Sequence, residues 1–400
     1  KKQCFRTSQN NRYIQGFNNL TGGSNTLTIP PNNGVQDIIV RLVMPAVSSN
    51  SGLALPVGWG YGLIKQVSFR YGGSSQYFLT GQQILQNALR MSPNGTARND
   101  LLTLGGVAAT GSTLATSQEA YVWLSLPHCT PSAEGKLPPL PTDLLTQQVQ
   151  ITCELYPIAT IFSVSTGTSP AVPTSLSSGS FSVQQVQFHN QGDALARRVD
   201  MTSHALSYPV EFVQQQVSIP LGSVAASSSQ AVSLTGFRSG EVKSIQVWLT
   251  ADSDTHYTGG TPTAGTISNP FRWFCPRDLV MTYAGEVYAR YEGGASQLWN
   301  LVNGRQTPSI TAGLIADVSA GNPSITSTSL SQWAELPFAQ SYDDLTAHST
   351  YLAGMPITNG IVQLAFTMPP GIATTPYTLN VSYVYNSVLA FSQGTCDYVF

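Results

Sequence analysis

The feature that most constrains this chain is a short pattern written twice. Arg70-Tyr71-Gly72-Gly73-Ser74-Ser75-Gln76-Tyr77-Phe78 returns as Arg290-Tyr291-Glu292-Gly293-Gly294-Ala295-Ser296-Gln297-Leu298-Trp299, with Glu292 as one extra residue. The copies stand about half the chain apart. Each follows a strand-like run, Leu63–Phe69 and Leu279–Tyr288. Each precedes apolar residues at helical spacing: Ile84, Leu85, Ala88 and Leu89, then Leu298, Trp299, Leu301 and Val302. Paired glycines permit positive φ, and Ser or Gln can cap a following helix. The pattern predicts a sharp strand-to-helix corner in each of two related halves. Its key residues are Gly72, Gly73 and Gln76, then Gly293, Gly294 and Gln297.

A chain of 400 residues holds about two to three domains, and each half is long enough to bury its own core. Between the corners the chain reads as short strands closed by turns. Val35–Val43 is rich in β-branched residues, Val149–Leu155 alternates cleanly, and Glu119–Leu126 places Ala120, Val122 and Leu124 on one face. Val242–Leu249 stands in the second half where Val35–Val43 stands in the first. Ile361–Met368 echoes Val122–Pro127, and Tyr377–Leu389 echoes the strand at 147–156. The glycine-dense stretch 58–62 reads as a loop, and 92–118, 251–277 and 305–335 as long surface excursions. Residues 163–182, dense in Ser, Thr and Pro, form the best linker. The division expected is an extended N-terminal arm over 1–20, a first domain over 21–165, a linker over 166–182 and a second domain over 183–400.

Many short strands without a βαβ rhythm predict antiparallel sandwiches. The fold class expected is all-β: two tandem eight-stranded antiparallel jelly-roll barrels with short flanking helices and long surface loops.

Charge and chemistry narrow the function. Asp, Glu, Lys and Arg make up 10% of the chain, against about 25% in ordinary globular proteins, and the net charge is −2. With no cluster of cations to neutralise phosphates, direct sequence-specific nucleic-acid binding is not expected. Five widely spaced cysteines without a C-x-x-C suggest free thiols rather than a disulfide framework or a zinc site. Asp252-Ser253-Asp254-Thr255-His256 lacks EF-hand spacing and reads as a solvated loop. Asp343-Asp344 would face opposite ways on a strand. No nucleophile elbow or P-loop occurs, so no catalytic residue, metal or cofactor is assigned and no enzyme is expected. Sequons stand at Asn19, Asn94 and Asn380. The aromatics Trp59, Tyr61, Tyr77, Phe78, Phe271, Trp273 and Phe274 either fill cores or form a sugar-stacking surface.

With these residues in place, the chain resembles the double jelly-roll major capsid proteins of icosahedral double-stranded DNA viruses. In that family the strand lettered C, second of the eight, often ends in a Gly-Gly corner followed by a polar residue and a short helix. Gly72-Gly73 and Gly293-Gly294 match that pattern. The resemblance implies a structural subunit that trimerises into pseudo-hexagonal capsomers. It also implies outward loops over 92–118, 251–277 and 305–335, and an inner arm over 1–20. Its implied partners are other copies of itself in the homotrimer and in neighbouring capsomers, minor capsid and penton proteins, and an internal membrane. The implied location is the virion, after assembly inside the host cell. The rival readings are an extracellular β-sandwich carbohydrate-binding protein of lectin type and a trimeric receptor-binding spike.

Overall fold

The computed structural model describes residues 7–29, 34–49, 51–72, 76–91, 95–125, 131–132, 135–136, 140–188, 206–252, 260–292 apart from 267, 269 and 272, 333–338, 354–357, 361–392 and 394–399. The first half builds eight principal strands: β1 (Thr7–Gly16), β2 (Gly23–Ile29), β3 (Gly34–Met44), β4 (Ile64–Arg70), β5 (Tyr77–Thr80), β6 (Gln118–Trp123), β7 (Val149–Leu155) and β8 (Ser178–Phe188). All pair antiparallel, in two sheets ordered β1-β8-β3-β6 and β2-β7-β4-β5.

The second half repeats this order. β9 (Leu206–Val213) and β10 (Val217–Val224) share the first position, both lying along one partner. Then come β11 (Ser229–Leu234), β12 (Glu241–Ala251), β13 (Arg277–Tyr283), β14 (Glu286–Arg290), β15 (Ala334–Pro337), β16 (Val362–Thr367) and β17 (Thr375–Ser392). The sheets run β9/β10-β17-β12-β15 and β11-β16-β13-β14. A last strand, β18 (Thr395–Val399), pairs with the far end of β17. The chain is therefore two antiparallel jelly rolls in tandem, with one strand order used twice.

Period-two alternation sets the two layers of each sandwich. In β3, Ile38, Val40 and Leu42 are buried, and Phe181 and Val183 of β8 join them. In β7, Val149, Ile151, Cys153 and Leu155 point inward, and in β16 Val362, Leu364 and Phe366 do the same. Each such side chain contributes roughly 1.5–3 kcal/mol by leaving water.

Among the described residues the first half holds three α-helices: α1 (Trp59–Leu63), α2 (Gly81–Met91) and α3 (Gly95–Leu104). The glycine-dense stretch expected to be a loop is α1, and every residue of it is buried. Close packing needs those glycines. A Cβ on Gly60 would stand 2.7 Å from that of Ala120, and one on Gly62 would stand 2.4 Å from Cγ of Pro270. The excursion expected over 92–118 holds α3 and buries Leu102 and Leu114.

The expected domain limits move at two places. The N-terminal arm over 1–20 contains β1, an edge strand registered on β8 from Thr7↔Phe188 to Gly16↔Ser180. Its Ser, Gln, Asn and Arg residues suit a strand with one open edge. The linker over 166–182 ends in a strand. Ser178 begins β8, which lies between β1 and β3 at the centre of the first sandwich. The serines of that stretch alternate with Phe181 and Val183, which supply the core, so composition hid a strand. Residues 183–188, assigned to the second domain, therefore complete the first.

The correspondence between halves also shifts. β12 does stand where β3 stands. β16, however, matches β7 rather than 122–127, and β17 matches β8 rather than the strand at 147–156. The first glycine corner leaves β4, the fourth strand rather than the second, and enters β5; the helix starts only after that strand. The second copy begins at the end of β14, the counterpart of β5, so the two copies sit one strand out of step.

Candidate functional site

Among the described residues, hydrogen bonds and ring contacts gather at the seam where the first sandwich meets the second. It starts from α2. Thr80 caps this helix: the Gln83 amide donates to Thr80 Oγ1 at 3.2 Å, and the Thr80 amide donates to Gln83 Oε1 at 3.1 Å. This reciprocal capping box fixes the Gln83 side chain. Gln83 Nε2 then donates to the Gln214 carbonyl at 2.7 Å and to Ser382 Oγ at 2.8 Å, both in the second sandwich. Thr80 Oγ1 donates to Gln216 Oε1 at 3.0 Å, and Trp248 Nε1 donates to Gln82 Oε1 at 3.0 Å. Sequence spacing expected caps from Ser or Gln in the corner itself. Thr80-x-x-Gln83 was the readable signal that this expectation passed over.

Below α2 the seam turns aromatic. The Tyr77 ring lies 4.8 Å from Phe212 and 5.6 Å from Tyr398, and Tyr71 lies 6.3 Å from Tyr398. Phe212 and Tyr398 meet edge-on at 4.9 Å, and the Arg238 guanidinium sits 5.0 Å from the Phe212 centroid. Such ring pairs add about 0.5–1.5 kcal/mol each beyond area burial. Burial pushes the Tyr398 phenol well above its ordinary value, and the nearby Tyr71 and Tyr77 hydroxyls push it the same way. Above α2, the segment before β13 crosses onto the first sandwich. The Val164 amide donates to the Thr266 carbonyl at 2.9 Å, and Ser268 Oγ donates to the Thr160 carbonyl.

The seam buries the outer face of β12 and of the middle of β17. In β12 and β17, Val247, Leu249, Leu379 and Val381 face the core of the second sandwich, while Gln246, Trp248, Asn380 and Ser382 alternate with them on the outer face. All four outer residues are buried as well. Within the second sandwich, Lys243 Nζ donates to Glu211 Oε1 at 2.8 Å with both side chains buried.

The corner residues divide as follows. Gly72 has φ +62, the left-handed conformation the sequence called for, and lies against Leu145. Gln76 is exposed. Gly73, Gly293, Gly294 and Gln297 lie outside the described residues, as do Asp343, Asp344, Asn94 and most of the stretch 305–335.

Other candidates are occupied by structure. Asp252 Oδ1 accepts from Thr378 Oγ1 at 2.7 Å, and the rest of its acidic cluster lies outside the described residues. Among the described residues no three His, Cys, Asp or Glu side chains gather as a metal site. Asn380 is buried and bonded to Gln216, Ser218 and Thr250, so this sequon presents no free amide. Asn19 Oδ1 accepts from the Thr21 hydroxyl and amide. Of the aromatics offered for sugar stacking, Trp59, Tyr61, Tyr77, Phe271 and Trp273 are core. Cys153, Cys275 and Cys396 are free thiols, and burial pushes Cys153 up to about 12.

No family model and no curated protein matches this chain. Solved structures do. The chain superposes on the PBCV-1 virus capsid structure with a TM-score of 0.68 at 13% identity, covering 100% of this chain and 99% of the other. The Faustovirus major capsid protein gives 0.59 at 10% identity, covering 98% and 92%. The mavirus major capsid protein gives 0.55 at 12% identity, covering 97% and 90%. At these identities the likeness is one of fold, and it extends end to end through both jelly rolls.

Proposed function

We propose that this chain is the major structural subunit of an icosahedral virus shell, trimerising into pseudo-hexagonal capsomers. One observation carries the reading. A single strand order is used twice in one chain, and that tandem matches viral capsid proteins over essentially the full length of both partners. A tiling subunit needs rigid walls with large, mostly neutral side faces. The internal seam already uses that chemistry, since the side chains of Gln82, Gln83 and Gln216 bridge it with hydrogen bonds. Such contacts tolerate small changes of angle better than buried ion pairs, which cost about 3–5 kcal/mol when one partner is lost.

On this reading the partners are other copies of the chain, in the homotrimer and between capsomers. Minor capsid and penton proteins and an internal membrane would meet its inner face, and the two glycine corners act as structural turns. The function requires no catalysis and no cofactor. Negative-stain imaging of the purified chain tests the proposal. Hexagonal-outlined particles or closed shells are expected. Dispersed monomers that bind a glycan array would instead favour the lectin reading.

A further inference from the structure

Two buried amides at the seam between the sandwiches have no hydrogen-bond partner, and their positions bring them together. Along α2, 3.6 residues per turn set Gln82 and Gln83 about 100° apart around the axis and place Gln86 between them, about 40° from Gln82. Gln82 and Gln83 both bond the second sandwich, so Gln86 is turned to the same wall. Ile84 and Ala88 take the opposite side of the helix, where Ser125 of the first sandwich donates to the Ile84 carbonyl. The position along the axis is fixed as well. Three helical residues rise about 4.5 Å, close to the roughly 4.8 Å between neighbouring strands. Thr80 bonds Gln216, just before β10, and Gln83 bonds Ser382 of β17. The next strand in the sheet order β10-β17-β12 is β12. There Gln246 is the cross-strand partner of Ser382, and it shares the outer face with Trp248, which Gln82 already holds.

Gln86 is 0% and Gln246 1% exposed. Neither Oε1 nor Nε2 of either side chain meets a hydrogen-bond partner among the described residues. Buried polar groups are nearly always paired, because each one left alone forfeits its hydration. These two are complementary: each carries an NH2 donor and a carbonyl acceptor, so one amide can satisfy the other. We infer that Gln86 and Gln246 are a third rung of the seam, poised to close: they pair amide to amide as the later turn of α2 settles towards β12. The rungs at Thr80 and Gln83, nearer the start of the helix, stay in place and act as the fixed side of that movement. Closure then sets how tightly α2, and with it the first sandwich, is held against the second. The inference concerns a single chain and does not depend on what the chain assembles into.

Two measurements on the full chain test it. A high-resolution density map of the unaltered protein reads the rung directly, and a double-mutant cycle reads its coupling. Gln86→Met and Gln246→Met each remove one amide at similar side-chain length. The expected map shows the two amides within hydrogen-bond distance of each other. The expected cycle has each single variant lowering the urea midpoint, followed by tryptophan fluorescence. The double variant then falls less than the two single losses combined, because two thioethers leave no polar group unpaired. Losses that simply add, or no loss at all, would overturn the pairing. A map with the amides apart would overturn it too, and so would one with a separate atom bridging them, which would make the contact solvent-held. Since the map is of the unaltered chain, a variant that fails to fold still leaves a direct answer.

Discussion

Lys243 and Glu211 show how one residue pair can govern the stability of the second sandwich. Their 2.8 Å contact is shut away from water, so neither charge has solvent to fall back on. Removing one partner takes from the other its buried counter-charge. Lys243→Met is expected to lower unfolding free energy by about 3–5 kcal/mol, whereas Lys243→Met with Glu211→Leu should recover most of that loss. Urea unfolding midpoints of the three proteins measure it. Neither residue was singled out in the sequence, because a Lys and a Glu separated by the β9–β12 chain path carry no local sign of pairing. Gly72 lies at the other extreme. Its left-handed φ was legible because paired glycines after a strand have few other uses. Gln83 falls between: its capping role is written locally in Thr80-x-x-Gln83, while its reach to Ser382 depends on how the sandwiches meet.

Among the elements, β8 separates what pattern reveals from what composition conceals. Ser178-Gly179-Ser180-Phe181-Ser182-Val183 reads as the tail of a linker if residues are merely counted. Read in twos it is a central strand whose inner positions are Phe181 and Val183. Phe181 is fully buried and lies 4.8 Å from the Phe17 ring. Phe181→Ala is therefore expected to destabilise the protein by about 3–5 kcal/mol, the cost of a large core cavity. A true linker position would change stability by less than about 0.5 kcal/mol. Thermal and denaturant unfolding of this single variant decide between strand and linker. β7 was legible from its alternation and β3 from its β-branched residues. α1 was not, because its glycines are dictated by Ala120 and Pro270, which approach from elsewhere in the chain.

For the whole molecule, the duplication was visible before the coordinates, but its phase was not. Two similar corners suggested equivalent places, yet topology sets them one strand apart, since β4 precedes one and β14 the other. The seam that joins the halves has an alkaline weakness. Its phenols and the buried thiols are held neutral by burial, so the folded chain binds more protons than the unfolded one at high pH. Stability contributed by a raised value is complete below the unfolded value and is lost as pH climbs towards the folded one. For Cys153 that window opens at 9.0 and extends to about 12; for the tyrosines it opens at 10.0. The thermal midpoint is expected to fall through this range. Tyr398→Phe should soften the fall above pH 10 and leave the curve near neutrality less changed, as scanning calorimetry across pH 8–12 would record. One further consequence follows from the position of β17 in the chain. It is the spine of its sandwich, paired with β9, β10 and β12, yet it leaves the ribosome after all three of them. The first sandwich has all its strands once β8 emerges. Its neighbour must wait, with β12 unpaired on that side, until β17 too has been made, and during that delay the spine of another nascent chain can be captured in place of its own.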